Sequence, residues 1–493
     1  MTSIILILTP IIAAFLMMLL GKHTRTLERL AVAAALVEGI ATIGVAFGGP
    51  QDGLFAPYLA FDALGAFFVL ITGVLGSLGL IYAIYYFRKE GETRAIRPES
   101  LRNYHVLYQL FLLSMFVAAG ANHVLLLWIA VEATTLSSAF LVNFFDRPAA
   151  IEAAWKYMII NTVALLLGLF GVYLFIGVAQ HAALTQGLLA VPFDWAGLKH
   201  LAAFLDPALI KLAFVFLLIG YGTKAGLAPL HNWLPDAHSQ APVPISAMLS
   251  GALLNIALLA LLRFKGILDV AVGPSFVGTL FLFFGTASIL FAAFRILLQK
   301  EYKRLFAYSS IEHMGIIVFG FGLGGVAVAA ALLHALYHSL AKATLFLASG
   351  NIALRYHTLE IIKVKGLLRT LPVSGVLFLG GILALSGIPP FGTFFTEFVI
   401  FAGGFAYHPY FSTIAFLGLT LAFVGMFRHA GTMFYGKAHE AVVHHEQNIS
   451  TTPMKEQLLS YAPILVLFTL LLVLSFSVFT PLRLLITAAA LSL

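Results

Sequence analysis

The stretch GTKAGLAPLHNWLPDAHSQAPVP, residues 222–244, decides how the rest of the chain is read. It follows a run of apolar residues. It sets Lys224 ahead of Pro229, Pro235, Pro242 and Pro244, with His231, Asp236 and His238 between the prolines. Proline removes a backbone donor and clashes with the preceding turn, so the segment breaks a helix and frees carbonyls. Within lipid such groups are tolerated only where protein or a water-filled cavity satisfies them. A lysine beside this break therefore marks a polar spot inside a membrane.

Composition agrees. The chain has 493 residues, 61% of them hydrophobic and 10% charged, with 44 Phe. A soluble protein of this size needs far more polar surface, so the fold class is an all-α polytopic membrane protein. There is no cysteine, which excludes disulfides, thiolate zinc sites, iron–sulfur ligation and thiol catalysis. No cofactor is expected. The opening MTSIILILTPIIAAFLMMLLGKHTR lacks a basic region before its apolar core and reads as a first transmembrane helix.

Fourteen spans are read, near 3–20, 29–47, 60–87, 105–120, 122–144, 155–179, 207–234, 243–267, 274–297, 302–322, 325–350, 371–403, 409–433 and 457–479. With loops assigned alternately to two sides, one side holds 21 of the 28 Lys and Arg. The other holds Lys199, Lys211, Arg263, Lys265 and Arg483, while Lys224 and Lys342 lie within the membrane. The positive-inside rule puts the basic loops in the cytoplasm and both termini on the non-cytoplasmic side of the cell inner membrane. The net charge of +7 then reflects topology, and nothing argues for nucleic acid.

A second broken span reads LALSGIPPFGTFFTEFVIF at 383–401. Paired broken helices point to inverted repeats with an ion path at mid-membrane. The breaks fall in spans 7 and 12, and an odd spacing of five reverses orientation. The expected division is helices 1–3 over 1–104, a five-helix repeat over 105–267, an inverted five-helix repeat over 268–433, and a polar loop with helix 14 over 434–493.

Each ionisable group inside the membrane costs about 2.5–3.5 kcal/mol on insertion scales, so each needs a partner or a function. VLLLWIAVEATTLSSAFLV, at 124–142, carries Glu132, read either as a structural ion pair or as a proton-loading group coupled to Lys224. His334, His338 and Lys342 recur every four residues and form one helical stripe, the arrangement a proton relay requires. The rival is a metal site. HALYH lacks the glutamate of HExxH and no third ligand is evident, so no metal is expected. Glu397, two turns past Pro390, is read as the terminal carboxylate of the path, or as an ion-paired cap. Glu312 and His313 follow the basic Lys300, Lys303 and Arg304 and are placed near the cytoplasmic rim. His231, Asp236 and His238 are read as a funnel toward the cytoplasm, and HEAVVHHEQ at 439–447 as solvated surface or a partner contact.

These residues resemble the antiporter-like subunits shared by respiratory complex I, Mrp-type cation/proton antiporters and membrane-bound hydrogenases. The motifs are GTKAGLAPLHNWLPDAHSQAPVPISAMLSG, KRLFAYSSIEHMG, HALYHSLAKATLFLASG and SGIPPFGTFFTEF, and the likeness covers roughly residues 60–430. WIAVEATTL and YSSIEHMGII look most like hydrogenase-4 component F of formate hydrogenlyase-type complexes. The resemblance implies Glu132 as the carboxylate of the fifth helix, Lys224 as its partner, Lys342 as the central lysine and Glu397 as the distal exit group. Two departures stand out. Asn255 occupies a place where many relatives have Lys or His, and Asn holds no proton at pH 7. The chain ends at Leu493 and is expected to lack the long lateral amphipathic helix of one complex I relative.

The leading expectation is a proton-translocating subunit with no catalysis of its own, in a redox-driven complex. Its partners would be other membrane subunits, a peripheral redox arm, the bilayer, and protons or sodium. The rivals are an Mrp-like sodium/proton antiporter subunit, an ion-coupled subunit of an inorganic carbon uptake complex, and a structural anchor.

Overall fold

The computed structural model describes residues 1–21, 23–49, 57–188, 193–436 and 454–493. Among these the chain is helical, with two isolated β-bridges, Leu59 to Ala121 and Glu301 to Glu360. The 439–447 stretch lies outside the described residues. The first helices are α1 (Thr2–Leu20), α2 (Thr24–Phe47), α3 (Ala63–Thr93), α4 (Pro98–Gly120), α5 (Val124–Val142) and α6 (Pro148–Thr185). Short α7 (Trp195–Leu201) leads to α8 (Pro207–Lys224), α9 (Leu234–Gln240) and α10 (Val243–Met248). A π-turn, Leu249–Leu253, joins α10 to α11 (Leu254–Val272). Then come α12 (Pro274–Leu297), α13 (Tyr302–Leu323), α14 (Val326–Tyr356), α15 (Leu367–Thr370), α16 (Pro372–Leu385) and α17 (Gly392–Tyr407). The series closes with α18 (Pro409–Phe434), α19 (Met454–Phe476) and α20 (Thr480–Leu491).

Helix starts follow local chemistry. Proline opens α4, α6, α8, α12, α16 and α18, where its missing N–H costs nothing. Asp62, Asp194 and Asp206 accept first-turn N–H groups as N-caps. Asp62 also takes both arms of Arg263, one at 2.6 Å. Burial works against its ionisation, but Arg263 and the capped N–H hold the carboxyl below its usual range. That contribution is present at neutral pH and is lost as the pH falls through the carboxylate range.

Among the described residues twelve helices, with α10 and α11 taken as one span, are long and apolar enough to cross a membrane. Two more of the expected spans are occupied by α4, which opens on polar residues, and by the split pair α16 and α17. Two elements differ from expectation. Helix α6 runs 38 residues, about 57 Å at 1.5 Å per residue, rather than 155–179. Helix α20 is an additional 12-residue apolar helix, packed against α2, α3 and α14 through a face that buries Leu482, Leu485, Ile486 and Ala489.

The two expected breaks are built alike, and glycine rather than proline closes each helix. After α8, Gly226 sits at φ +77°; its N–H donates to Thr223 O (3.0 Å), and that of Leu227 to Gly222 O (2.9 Å). After α16, Gly387 sits at φ +59°; its N–H donates to Ala384 O and that of Ile388 to Leu383 O, both 3.2 Å. This is the Schellman pattern, with the prolines falling just beyond it. A methyl at Gly387 would also lie 2.1 Å from Glu397 Oε2. Gly387→Ala is therefore expected to lose about 1–2 kcal/mol, the cost of the left-handed conformation, and to turn the Glu397 carboxylate aside. Gly403→Ala, whose methyl meets nothing within 4 Å, serves as control. Thermal unfolding of the full chain in detergent should show a lower Tm for the first and none for the second.

Candidate functional site

The breaks and the buried charges fall into three hydrogen-bonded groups. The first lies where α5, α6 and α8 meet. Lys224, fully buried, donates from Nζ to Thr135 Oγ1 (2.8 Å) and to the Tyr157 hydroxyl (2.7 Å). Tyr157 and Ser138 share a 2.6 Å bond, and Ser138 donates to Thr134 O at 2.5 Å, so Tyr157 is the donor in their bond. Glu132 accepts from Thr162 Oγ1 at 2.8 Å and from Thr135 Oγ1 at 3.4 Å. Glu132 and Lys224 thus make no direct ion pair. The Thr135 hydroxyl stands between them, accepting from one and donating to the other. Trp233 Nε1 donates to the Thr223 carbonyl at 2.9 Å beside the Gly226 N–H, and Ser288 Oγ accepts the Ala228 N–H within the break at 2.9 Å.

The second group surrounds the π-turn, at α10, α11, α13 and α14. Lys342, fully buried, donates to Phe306 O (2.7 Å) and Ser309 Oγ (2.9 Å). Ser310 shares the Phe306 carbonyl and bonds Ser250 of the π-turn at 2.7 Å. Asn255 donates to Gly251 O and to Ser339 Oγ, and its Oδ1 has no partner. π-Turns recur at functional sites because they open a helix's own bonding.

The third group joins α13, α14, α16 and α17. His313 Nε2 bonds Leu385 O, the last residue of α16, at 3.0 Å, and its Nδ1 lies 2.9 Å from His334 Nε2. His334 Nδ1 meets Thr396 Oγ1 at 2.8 Å, one residue before Glu397. Glu397 is 7% exposed, and its Oε1 has no partner. It lines a cavity of about 450 Å³ between α17 and α18, walled mostly by phenyl rings such as Phe398 and Phe416, with Ser386 and Thr420 among the lining residues.

Several sequence expectations change. Glu312 and His313 do not sit at a rim; both are buried, at 3% and 0%. The His334, His338 and Lys342 stripe exists on α14, but its bonds run across helices rather than along it. His338 packs 5.0 Å from the His313 ring with no hydrogen-bond partner on either nitrogen. The funnel also divides. Asp236 is taken by Arg304 (2.6 Å) and Lys156 (3.4 Å), and His231 packs on Phe291. His238 is fully buried, stacked on Phe346, with neither ring nitrogen bonded. A cavity of about 310 Å³ instead opens beside Glu90, Glu301 and Lys303. Lys303 Nζ donates to Ser239 O and Ala241 O, close after His238 in the chain.

Sequence reasoning missed Thr135, Tyr157, Ser138 and Thr396, although ATTLSS at 133–138 carried the hydroxyls in plain view. It also found no third ligand beside the histidines. Donor atoms of His313, His334 and Glu397 lie within 4.8 Å of one another, a set that suits a divalent cation. A metal there would have to displace the proton shared between the two rings.

Residues 121–425 match the family described as NADH:quinone oxidoreductase/Mrp antiporter, transmembrane. A hydrogenase-4 component F homolog of Methylacidiphilum infernorum is 43% identical over 362 residues, 73% of this chain and 75% of that protein. NADH-quinone oxidoreductase subunit N of Desulforudis audaxviator is 30% identical over 70% of this chain and 66% of that protein. Among solved structures, a chain of the archaeal membrane-bound sulfane sulfur reductase superposes with a TM-score of 0.82 at 23% identity, covering 99% of this chain and 97% of that one. A matched region this long, carrying both broken helices, Glu132, Lys224, Lys342 and Glu397, makes the chain a member of the NADH:quinone oxidoreductase/Mrp antiporter transmembrane family.

Proposed function

We propose that this chain translocates protons as a membrane subunit of a redox-driven complex of hydrogenase-4 type, with no catalysis of its own. One observation carries the reading: three groups of Lys, His and Glu side chains, built around the buried Lys224, Lys342 and His334, succeed one another between the two broken helices. Proton transfer needs a hydrogen bond or one water per step. From Lys224 to Glu132, and from His313 to Thr396, that condition is met by direct hydrogen bonds. Unpartnered polar atoms beside them, both ring nitrogens of His238 and of His338 and the Asn255 Oδ1, would hold the bridging water. The cavity beside Glu90, Glu301 and Lys303 is the proposed cytoplasmic mouth, and the cavity at Glu397 the opposite end.

In the first group, a proton on Lys224 passes to Thr135 Oγ1 as the threonine's own proton moves to Glu132. A charge change in a neighbouring subunit would bias that exchange and hand the perturbation on through Lys342 toward Glu397. The matching Schellman closures favour two inverted five-helix repeats over 105–267 and 268–433, within a fourteen-span chain having both termini outside. Other membrane subunits and a peripheral redox arm are the proposed partners, since the component F relative is named for a hydrogenase.

The test is proton uptake by inside-out vesicles carrying the assembled complex, with electron donor supplied and a pH-sensitive dye inside. Uptake should persist when choline replaces sodium. Uptake that stops without sodium favours the second reading, a sodium/proton antiporter subunit, for which the Mrp part of the family supplies the ground. Mass spectrometry of co-purifying subunits identifies the assembly.

A further inference from the structure

Three glutamates are buried among the described residues: Glu312 on α13, Glu397 on α17 and Glu38 on α2. Glu38 precedes the matched family region. It sits about 21 Å along α2 from Thr24, well inside the membrane. It is 0% exposed, and neither carboxylate oxygen has a hydrogen-bond partner. Transferring a bare carboxylate from water to such a place is prohibitive unless a cation or a proton neutralises it.

The surroundings supply oxygen but no cation. Gln109 of α4 faces the carboxyl without a well-directed hydrogen bond, and both its amide atoms are otherwise unpartnered. Thr42, one turn along α2, packs over Gly73 of α3, where a methyl would lie 1.9 Å from Thr42 Oγ1. Ser77 Oγ, one turn further on α3, lies 3.4 Å from the position of a methyl at Gly39. Thr42 Oγ1, Ser77 Oγ, His105 Nδ1 and the Tyr104 hydroxyl are buried and unpartnered. Among the described residues the titratable side chain that feels the carboxyl is Tyr108 of α4, whose hydroxyl donates to Gly76 O at 2.9 Å; Tyr104 and His105 stand one turn earlier on the same helix. Helix α1 carries no titratable residue; α3 brings Ser77 to the site, and its titratable residues, Tyr82 to Glu92, lie further along, where Arg88 pairs with Glu28 of α2. Helix α20 meets α2 at the far end, with Phe479, just before its first turn, 5.7 Å from Phe47, and its Arg483 is exposed. Three helices therefore bring hydroxyl, amide and carboxylate oxygens together with nothing to balance the charge. Hard monovalent and divalent cations take such oxygen ligands.

We propose that Glu38, with Thr42, Ser77 and Gln109, forms a second exchange site for a small cation, a proton or an alkali cation, in the N-terminal helices apart from the central axis. The site is independent of the proposed transport route, since none of its residues belongs to the three groups. The test is infrared pH-difference spectroscopy of the full chain in its lipid-reconstituted complex, comparing wild type with Glu38→Gln. Spectra are taken in sodium chloride and in choline chloride. The expected result is a protonated-carboxyl band that disappears on raising the pH and is missing from Glu38→Gln. If sodium is the competing ion, the band disappears at lower pH in sodium than in choline; coincident titrations assign the site to the proton alone. A Glu38→Gln spectrum identical to wild type at every pH overturns the proposal. So does a band that Glu38→Gln removes but pH never moves, which would make Glu38 a fixed hydrogen-bond donor. Subunit composition and gel-filtration profile of the Glu38→Gln complex establish that it has assembled.

Discussion

Replacing Lys224 by alanine is expected to slow proton translocation by about 100-fold or more, with the complex still assembled. The ammonium group is the bonded link between the Tyr157 hydroxyl and the Thr135 hydroxyl, through which Glu132 is reached. Lys224→Arg separates two roles for the charge. Arginine keeps the cation but does not release its proton in proteins, so a site that works by exchange fails with arginine as well. Translocation that survives in Lys224→Arg would show the lysine acting as a fixed charge. Thr135→Val and Thr135→Ser form the companion pair. Valine removes the hydroxyl bridge and is expected to slow transport strongly, while serine restores it. The readout is the initial rate of dye quenching in vesicles, normalised to subunit content.

The second large effect is expected at His334, and it follows from one carbonyl. Leu385 O only accepts, so His313 Nε2 carries hydrogen. In the neutral ring His313 Nδ1 is then an acceptor, and His334 must donate to it from Nε2. His334 Nδ1 is left as the acceptor facing Thr396. An added proton lands on that nitrogen, and the Thr396 hydroxyl turns to donate to Thr393 O at 2.9 Å. The tautomers are fixed from one end, so the free acceptor of this group is the His334 nitrogen that faces Thr396, next to Glu397. His334→Ala should reduce translocation by about 100-fold. Thr396→Val should impair it and Thr396→Ser should retain it. Equal loss in Thr396→Val and Thr396→Ser would point to packing rather than hydroxyl chemistry.

The fold was legible where the sequence broke its own rules. A lysine or glutamate inside an apolar run is costly enough to stand out, and so Glu132, Lys224, Lys342 and Glu397 were found. The hydroxyl partners were not. Serine and threonine within helices routinely bond a carbonyl of their own preceding turn, and nothing in sequence separates those from Thr135 or Thr396. Only the neighbouring helix does. His313 was misplaced by its basic prelude, yet ten helical residues beyond Lys303 carry a side chain about 15 Å inward. Helix α20 escaped notice because 12 residues fall short of any spanning window.

Asp236 has a mechanical meaning beyond its two ion pairs. It sits on α9, the seven-residue half-helix that resumes after the Lys224 break. Its carboxylate grips Lys156 of α6 on one side and Arg304 of α13 on the other. The half-helix is thus a lever hinged at Gly226 and tethered to both flanks of the bundle. A displacement begun at the lysine can be felt by α13, and so by His313, without any proton having crossed the interval between them.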